Sequence, residues 1–211
     1  MSELLSNSRM AALKHVKDNE IERSMKDLYK ICIDEDPTGG PVLVEMKKWF
    51  GDLTLNVMLM MIVGRKYSGE DDSSKRFRVG MRSFMRLMGI FVPGDAFPIL
   101  RWFDIGGYRK QMRSTIKELD ALFQGWYQEH KKKRASGESK GDEDFMDVLM
   151  TILEHEKISE YNNDTIIIAT CLSLFSGSDT TMLTLTWILA LLLNNRRVLK
   201  KAQDELDRHV G

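Results

Sequence analysis

The chain predicts an all-α protein. Only four prolines interrupt 211 residues, 43% of the residues are hydrophobic, and the apolar ones recur at three- and four-residue spacing over long stretches divided by turn signals. That length supports one substantial core or two small ones, read here as a single domain over residues 1–211. Thirty-one acidic and thirty-one basic residues cancel, so no global field points to nucleic acid. His15, His130, His155 and His209 are scattered, none at metal-ligand spacing with another ligand type. Cys32 and Cys171 lack a CxxC partner, which suits a reducing compartment and excludes a disulfide framework. No basic n-region followed by an apolar h-region opens the chain.

Residues 2–33 read as one or two amphipathic helices, with Leu4, Leu5, Leu13, Val16, Ile21, Met25, Leu28 and Ile31 on the apolar side. Asp34 to Pro41, rich in Asp, Gly and Pro, ends them in a turn. Val42 to Val63 predicts a more hydrophobic helix stopped by Gly64, with Met58, Met60 and Met61 as core filler. A polar loop from Ser68 to Lys75 leads into a helix from about Arg76 to Ile90. Phe91 to Gly107, carrying Pro93, Pro98, Phe97, Trp102 and Phe103, reads as an ordered connection packed on something apolar. Tyr108 to Arg134 predicts a long helix with Met112, Ile116, Leu119, Leu122, Phe123 and Trp126 at core spacing. Its end, His130 to Arg134, reads as a solvated helix terminus. A short helix is predicted over Phe145–Leu153, and Asn162, Asn163 and Asp164 offer N-caps for a long apolar helix beyond. Arg196 to Val210 reads as a polar amphipathic helix.

Within that apolar run, Thr165 to Leu193, the only charged residue is Asp179, set in Ser176-Gly177-Ser178-Asp179-Thr180-Thr181. A carboxylate and hydroxyls inside a buried helix are expensive unless chemistry needs them. Glycine costs about 1 kcal/mol relative to alanine there, and Ser and Thr can turn their hydroxyls onto backbone carbonyls, so the island predicts a local distortion of a long central kinked helix. Twenty-nine helical residues rise roughly 43 Å, longer than the ~30 Å bilayer core, so length permits a single membrane span over 165–193 with Arg196-Arg197 as positive flank. The clustered polar residues weigh against it, since an Asp at the bilayer centre costs about 2.5–3.5 kcal/mol on insertion scales. A helix through the middle of a large soluble domain explains both the apolar ends and the polar centre.

The island Ser176–Thr181 resembles the Ala/Gly-Gly-x-Asp/Glu-Thr-Thr/Ser motif in the central helix of the cytochromes P-450, the haem-thiolate monooxygenases. The flanks strengthen the likeness. Asp144-Phe145-Met146-Asp147-Val148-Leu149 is similar to the Asp-Phe-Ile/Leu/Val-Asp-Val-Leu-Leu segment of plant members, and Trp49 to Val57 with Val63 to Tyr67 resembles their E helix. Val92 to Pro98 resembles the loop between helices F and G, while Leu193-Asn194-Asn195 and Lys201 to Leu206 resemble the start of helix J. The resemblance spans essentially the whole chain and is closest to plant A-type members, family 82. It implies an internal segment from about the end of helix C to helix J of a mainly α enzyme.

The resemblance further implies haem b as cofactor, O2 and a small apolar plant metabolite as substrates, and NADPH-dependent cytochrome P-450 reductase as partner. The complete protein is expected at the endoplasmic reticulum membrane, on its cytosolic face, held by an anchor. Thr180 is assigned the oxygen-side hydroxyl and Asp179 the proton relay, as catalytic residues. Ser176 and Gly177 form the groove over the haem with Thr181 as support. Leu172 and Phe175 face the substrate pocket, and Phe91 to Trp102 form its roof. Two residues depart from the pattern: Ser176 stands where Ala or Gly is usual, and Arg196 where Pro is usual. The 211 residues do not contain the F-x-x-G-x-R-x-C-x-G loop that brings the thiolate, and neither Cys32 nor Cys171 lies in such a loop. No metal ligand is assigned. A non-catalytic truncated remnant and a single-span membrane protein are the alternative expectations.

Overall fold

The computed structural model describes residues 6, 11, 13–66, 72–92, 94, 104, 106–137, 143–156 and 163–209. Among them are seven α-helices and no strand: α1 (Lys14–Glu35), α2 (Met46–Val63), α3 (Asp72–Met88), α4 (Tyr108–Ala135), α5 (Phe145–Glu156), α6 (Asn163–Asn194) and α7 (Arg196–His209). The long helix α6 is the organising element. It packs most extensively against α2 and also touches α4 and α5, while α1 covers α2 and α3 pairs with α4.

Four aromatic rings join α3, α4 and α6. The Phe77 ring lies edge-on to Phe175 at 4.9 Å, to Trp126 at 5.1 Å and to Phe123 at 5.9 Å between centroids. Phe77, Phe123 and Phe175 retain no exposed surface. Edge-to-face pairs of this kind are worth about 0.5–1.5 kcal/mol beyond the area they bury. Helix α5 is buried nearly all round through Phe145, Met146, Val148, Leu149, Met150 and Leu153, because it lies between α2, α4 and α6.

Polar contacts fix the helix ends. Both carboxylate oxygens of Asp104 accept the first free amides of α4, from Arg109 at 2.9 Å and Lys110 at 3.1 Å. At the other end of α2, Gly64 adopts the left-handed conformation with φ 60° and its N–H closes onto the Met60 carbonyl at 3.1 Å. The Tyr127 hydroxyl bonds to Asp164, tying α4 to the start of α6; burial, reinforced by that bond, raises the phenol above its usual range.

The predicted helices are present, with shifted ends. Helix α2 begins at Met46 rather than Val42, and α3 already at Asp72, inside the stretch read as a loop. The predicted apolar side of α1 holds at its start, where Leu13 is buried and Val16 packs on the core, and is corrected further along. Glu20 and Ser24 are the buried residues, whereas Ile21, Met25 and Ile31 are exposed. The buried acid is tolerated because Arg23 donates to it at 2.5 Å, so the face that docks is the one carrying an internal ion pair. On α4, Leu119, Phe123 and Trp126 are core, but Ile116 is half exposed. Leu4 and Leu5, and most of the aromatic connection predicted between α3 and α4, lie outside the described residues.

The aromatic cluster sets a test. Phe77→Ala is expected to lower unfolding stability by about 3–5 kcal/mol in urea titration, and Ile116→Ala to stay within about 0.5 kcal/mol of the parent.

Candidate functional site

The polar island falls in the middle of α6, where the helix is α-helical throughout. The predicted turning of the Ser and Thr hydroxyls onto backbone carbonyls is present. Ser176 donates to the Ser173 carbonyl at 2.6 Å, Ser178 to the Phe175 carbonyl at 2.8 Å, and Thr184 to the Thr180 carbonyl at 2.8 Å. Thr180 and Thr181 both donate to the Gly177 carbonyl, each at 3.0 Å. One carbonyl thus takes two hydroxyls besides its place in the helix, and each hydroxyl oxygen keeps acceptor capacity outward.

Helical geometry sorts the residues into two faces. Ile167, Ile168, Cys171, Phe175 and Ser178 are buried against the bundle. On the other side Ala169, Ser173, Gly177, Thr180 and Thr184 are exposed and form one continuous strip of small residues. The strip becomes apolar further on, at Trp187, Ile188 and Leu191, which are half exposed or more. A Cβ added at Gly177 would meet nothing within 4 Å, so the backbone there faces open space. Ser176 and Asp179, three residues apart, are half-buried along the same border of the strip, and Thr181 lies along the other.

Five of the predicted site residues, Ser176, Gly177, Asp179, Thr180 and Thr181, therefore lie on or beside one open surface. The two substrate candidates do not join them. Phe175 is a correction: its ring is fully enclosed by Phe77 and Phe123 and has no surface left to touch a ligand. Leu172 is half-buried and packs on the same core. Two clefts among the described residues lie elsewhere. One of about 310 Å³ sits between α1, the end of α2 and Asp144, and one of about 290 Å³ between the end of α2, α3 and α4; α6 lines neither. Of the two thiols, Cys171 is enclosed in the core, where burial pushes it up to about 12, and Cys32 is half-buried on α1. Cys171 is thus a packing residue, no thiolate.

Residues 4–211 match the sequence profile of the family described as Cytochrome P450. The chain belongs to the cytochrome P-450 family. It is 49% identical over 99% of its length to "Cytochrome P450 CYP82D47" of Panax ginseng, and 49% identical over its full length to demethylepipodophyllotoxin synthase of Sinopodophyllum hexandrum. It is 44% identical over 99% of its length to strychnine-10-hydroxylase of Strychnos nux-vomica. These matches cover 60%, 42% and 41% of those three proteins, so the chain spans well under two thirds of the relatives it matches.

The cytochrome P-450 family implies a haem, and the α6 strip fits one. A planar, mostly apolar macrocycle needs a helix surface without bulky side chains, and Ala169, Ser173 and Gly177 provide it. The hydroxyls of Thr180 and Thr184 lie on the same surface, the Thr180 one resting on the Gly177 carbonyl.

One polar cluster escaped the sequence reading. His130, taken there as part of a solvated helix end, is buried and bonded to Asp144 at 2.8 Å. The signal lay in the two acids of Asp144–Asp147, which open a helix and leave carboxylates facing the bundle.

Two measurements follow from this geometry. Under native conditions a thiol-alkylating reagent is expected to label Cys32 and to reach Cys171 only after denaturation. Gly177→Ala is expected to raise the thermal stability of the chain by the equivalent of about 1 kcal/mol, since the helix gains propensity and the added methyl meets no neighbour.

Proposed function

We propose that the chain supplies the oxygen-side wall of a plant haem monooxygenase that hydroxylates a small apolar metabolite. In this reading O2 is the oxidant and electrons come from NADPH through cytochrome P-450 reductase, at the cytosolic face of the endoplasmic reticulum membrane. The observation that carries the proposal is the open strip of α6, where Gly177 leaves the backbone bare and Thr180 presents a hydroxyl beside it. A relative named as a hydroxylase supports the reaction class.

Haem iron, when bound with its thiolate ligand, supplies the oxygen-activating chemistry. Gly177, Ser176 and Thr181 would hold the macrocycle: the glycine by the absence of a Cβ, the other two by lining the borders of the strip. Thr180 holds a proton at Oγ1. In the resting helix that proton lies on the Gly177 carbonyl at 3.0 Å, and a rotation about χ1 turns it towards the open surface. Its twin Thr181 keeps the carbonyl satisfied during that rotation, at the same 3.0 Å. Asp179, half-buried at the border, refills Thr180 with protons from solvent. The buried face of α6, clamped by Phe175 against Phe77, keeps this turn in register. Helix α6 is long and apolar enough to cross a membrane, but the packing of α2, α4 and α5 along one side of it supports the role of an interior helix.

In the haem-loaded, thiolate-ligated enzyme, Thr180→Ala is expected to lower product formed per NADPH consumed by roughly 10²-fold while NADPH oxidation continues. Thr180→Ser should keep most of the coupling. Unchanged coupling in the alanine variant would remove Thr180 from proton delivery.

A further inference from the structure

A second polar constellation lies away from the α6 strip, where the last turns of α4 meet the start of α5. His130 and Arg134 are one helical turn apart on α4; Asp144 and Asp147 stand at the N-terminus of α5. His130 Nε2 is 2.8 Å from Asp144 Oδ2, and Nδ1 is 2.8 Å from the Trp126 carbonyl oxygen. Asp144 Oδ1 accepts the Asp147 N–H at 2.9 Å, so the same carboxylate caps α5. Arg134 bonds to the Asp147 carbonyl at 3.2 Å, to Glu154 at 3.2 Å and to Thr151. The His130 side chain is 6% exposed and that of Asp144 10%, so neither can turn to bulk water for a partner.

The decisive point is what faces each ring nitrogen. A backbone carbonyl and a carboxylate are both acceptors, so both nitrogens must donate. A neutral imidazole has one donor only. A proton therefore has to be shared along the His130–Asp144 contact. Whether it rides on Nε2 or on Oδ2, its removal leaves two lone pairs 2.8 Å apart in a buried site. Nearby charges do not replace it: Arg134 is engaged with Asp147, Thr151 and Glu154. On α6 the facing ionisable group is Cys171, a buried thiol. Across the 310 Å³ cleft beside Asp144 lie His15, Glu20, Arg23, Lys66 and Glu143, with Glu20 and Arg23 paired to each other.

We propose that the His130–Asp144 contact is a proton-dependent latch: one shared proton holds the start of α5 against the end of α4, and its loss releases the pair. The latch reaches the core directly, since the carbonyl it grips belongs to Trp126, whose ring packs on Phe77 and Phe123. Burial alone pulls the imidazole down. The Asp144 bond and charge, the Trp126 carbonyl and Asp147 together outweigh that pull and hold it above its ordinary range. Because the folded midpoint is raised, the stabilisation is complete below the free-histidine value of about 6.5 and disappears as pH rises through the folded midpoint.

Two experiments on the 211-residue chain test the latch. In the first, NMR follows the His130 ring across pH, with His130→Gln identifying the signal; the midpoint is expected clearly above about 6.5. A midpoint at or below that value overturns the proposal, and the midpoint itself is read from the parent chain. In the second, the folding equilibrium constant is measured by urea titration between pH 6 and 9. The parent is expected to lose about tenfold per pH unit from about 6.5 up to the folded midpoint and to level off above it. Asp144→Asn keeps an oxygen for the Asp147 amide and adds an N–H that donates to neutral His130, so its profile is expected to lose that slope. An equal slope in parent and Asp144→Asn overturns the proposal.

Discussion

The structure depends on how α6 disposes of its polar groups. A helix more than thirty residues long with an almost wholly apolar sequence is easy to bury, yet it carries five hydroxyls and an acid at its centre. Each hydroxyl is folded back onto a carbonyl three or four residues earlier, so each has a partner within the helix, and α2, α4 and α5 pack along one side. Burial then applies to one face only. Around the island the opposite face is left to small residues, and that asymmetry separates a packed side from an open side on a single element.

The aromatic cluster and the charged junction divide the work of holding this helix. Phe77, Phe123, Trp126 and Phe175 supply non-directional attraction with a preferred edge-to-face geometry, joining α3 and α4 to α6. His130, Arg134, Asp144 and Asp147 supply directional bonds that fix where α5 begins. Trp126 belongs to both groups, its ring to the first and its carbonyl to the second. One residue of α4 thus joins the charged junction to the aromatic contacts on the buried face of α6.

Much of this was legible in the sequence. Periodicity located the helices, and the unusual chemistry of Ser176 to Thr181 located the strip, because polar residues inside an apolar run stand out without any knowledge of partners. The family likeness carried by that island, by Asp144–Leu149 and by the E-helix segment agrees with the family match over residues 4–211. What periodicity did not settle was rotation. The apolar stripe of α1 predicted one docking face; Leu13 and Val16 keep to it, but further along the paired Glu20 is buried in place of Ile21 and Met25, since an ion pair formed within the helix makes a polar face buriable. Phe175 sits one residue from Ser176, and sequence proximity suggested a shared surface; the 100° step between successive helical residues puts its ring into the core. His130 was illegible for another reason. Its meaning depends on a carboxylate fourteen positions away across a loop, and no local pattern announces such a pair.

Gly64 shows how these arrangements converge on one small residue. Its φ of 60° ends α2, and a Cβ placed there would come within 3.0 Å of Asp144 Oδ2. Any replacement would strain the backbone and press on the carboxylate that serves both His130 and the cap of α5. A position with no chemistry of its own is thereby a mutational weak point. A harmful variant found there would report a fault in assembly, at a distance from the polar island of α6.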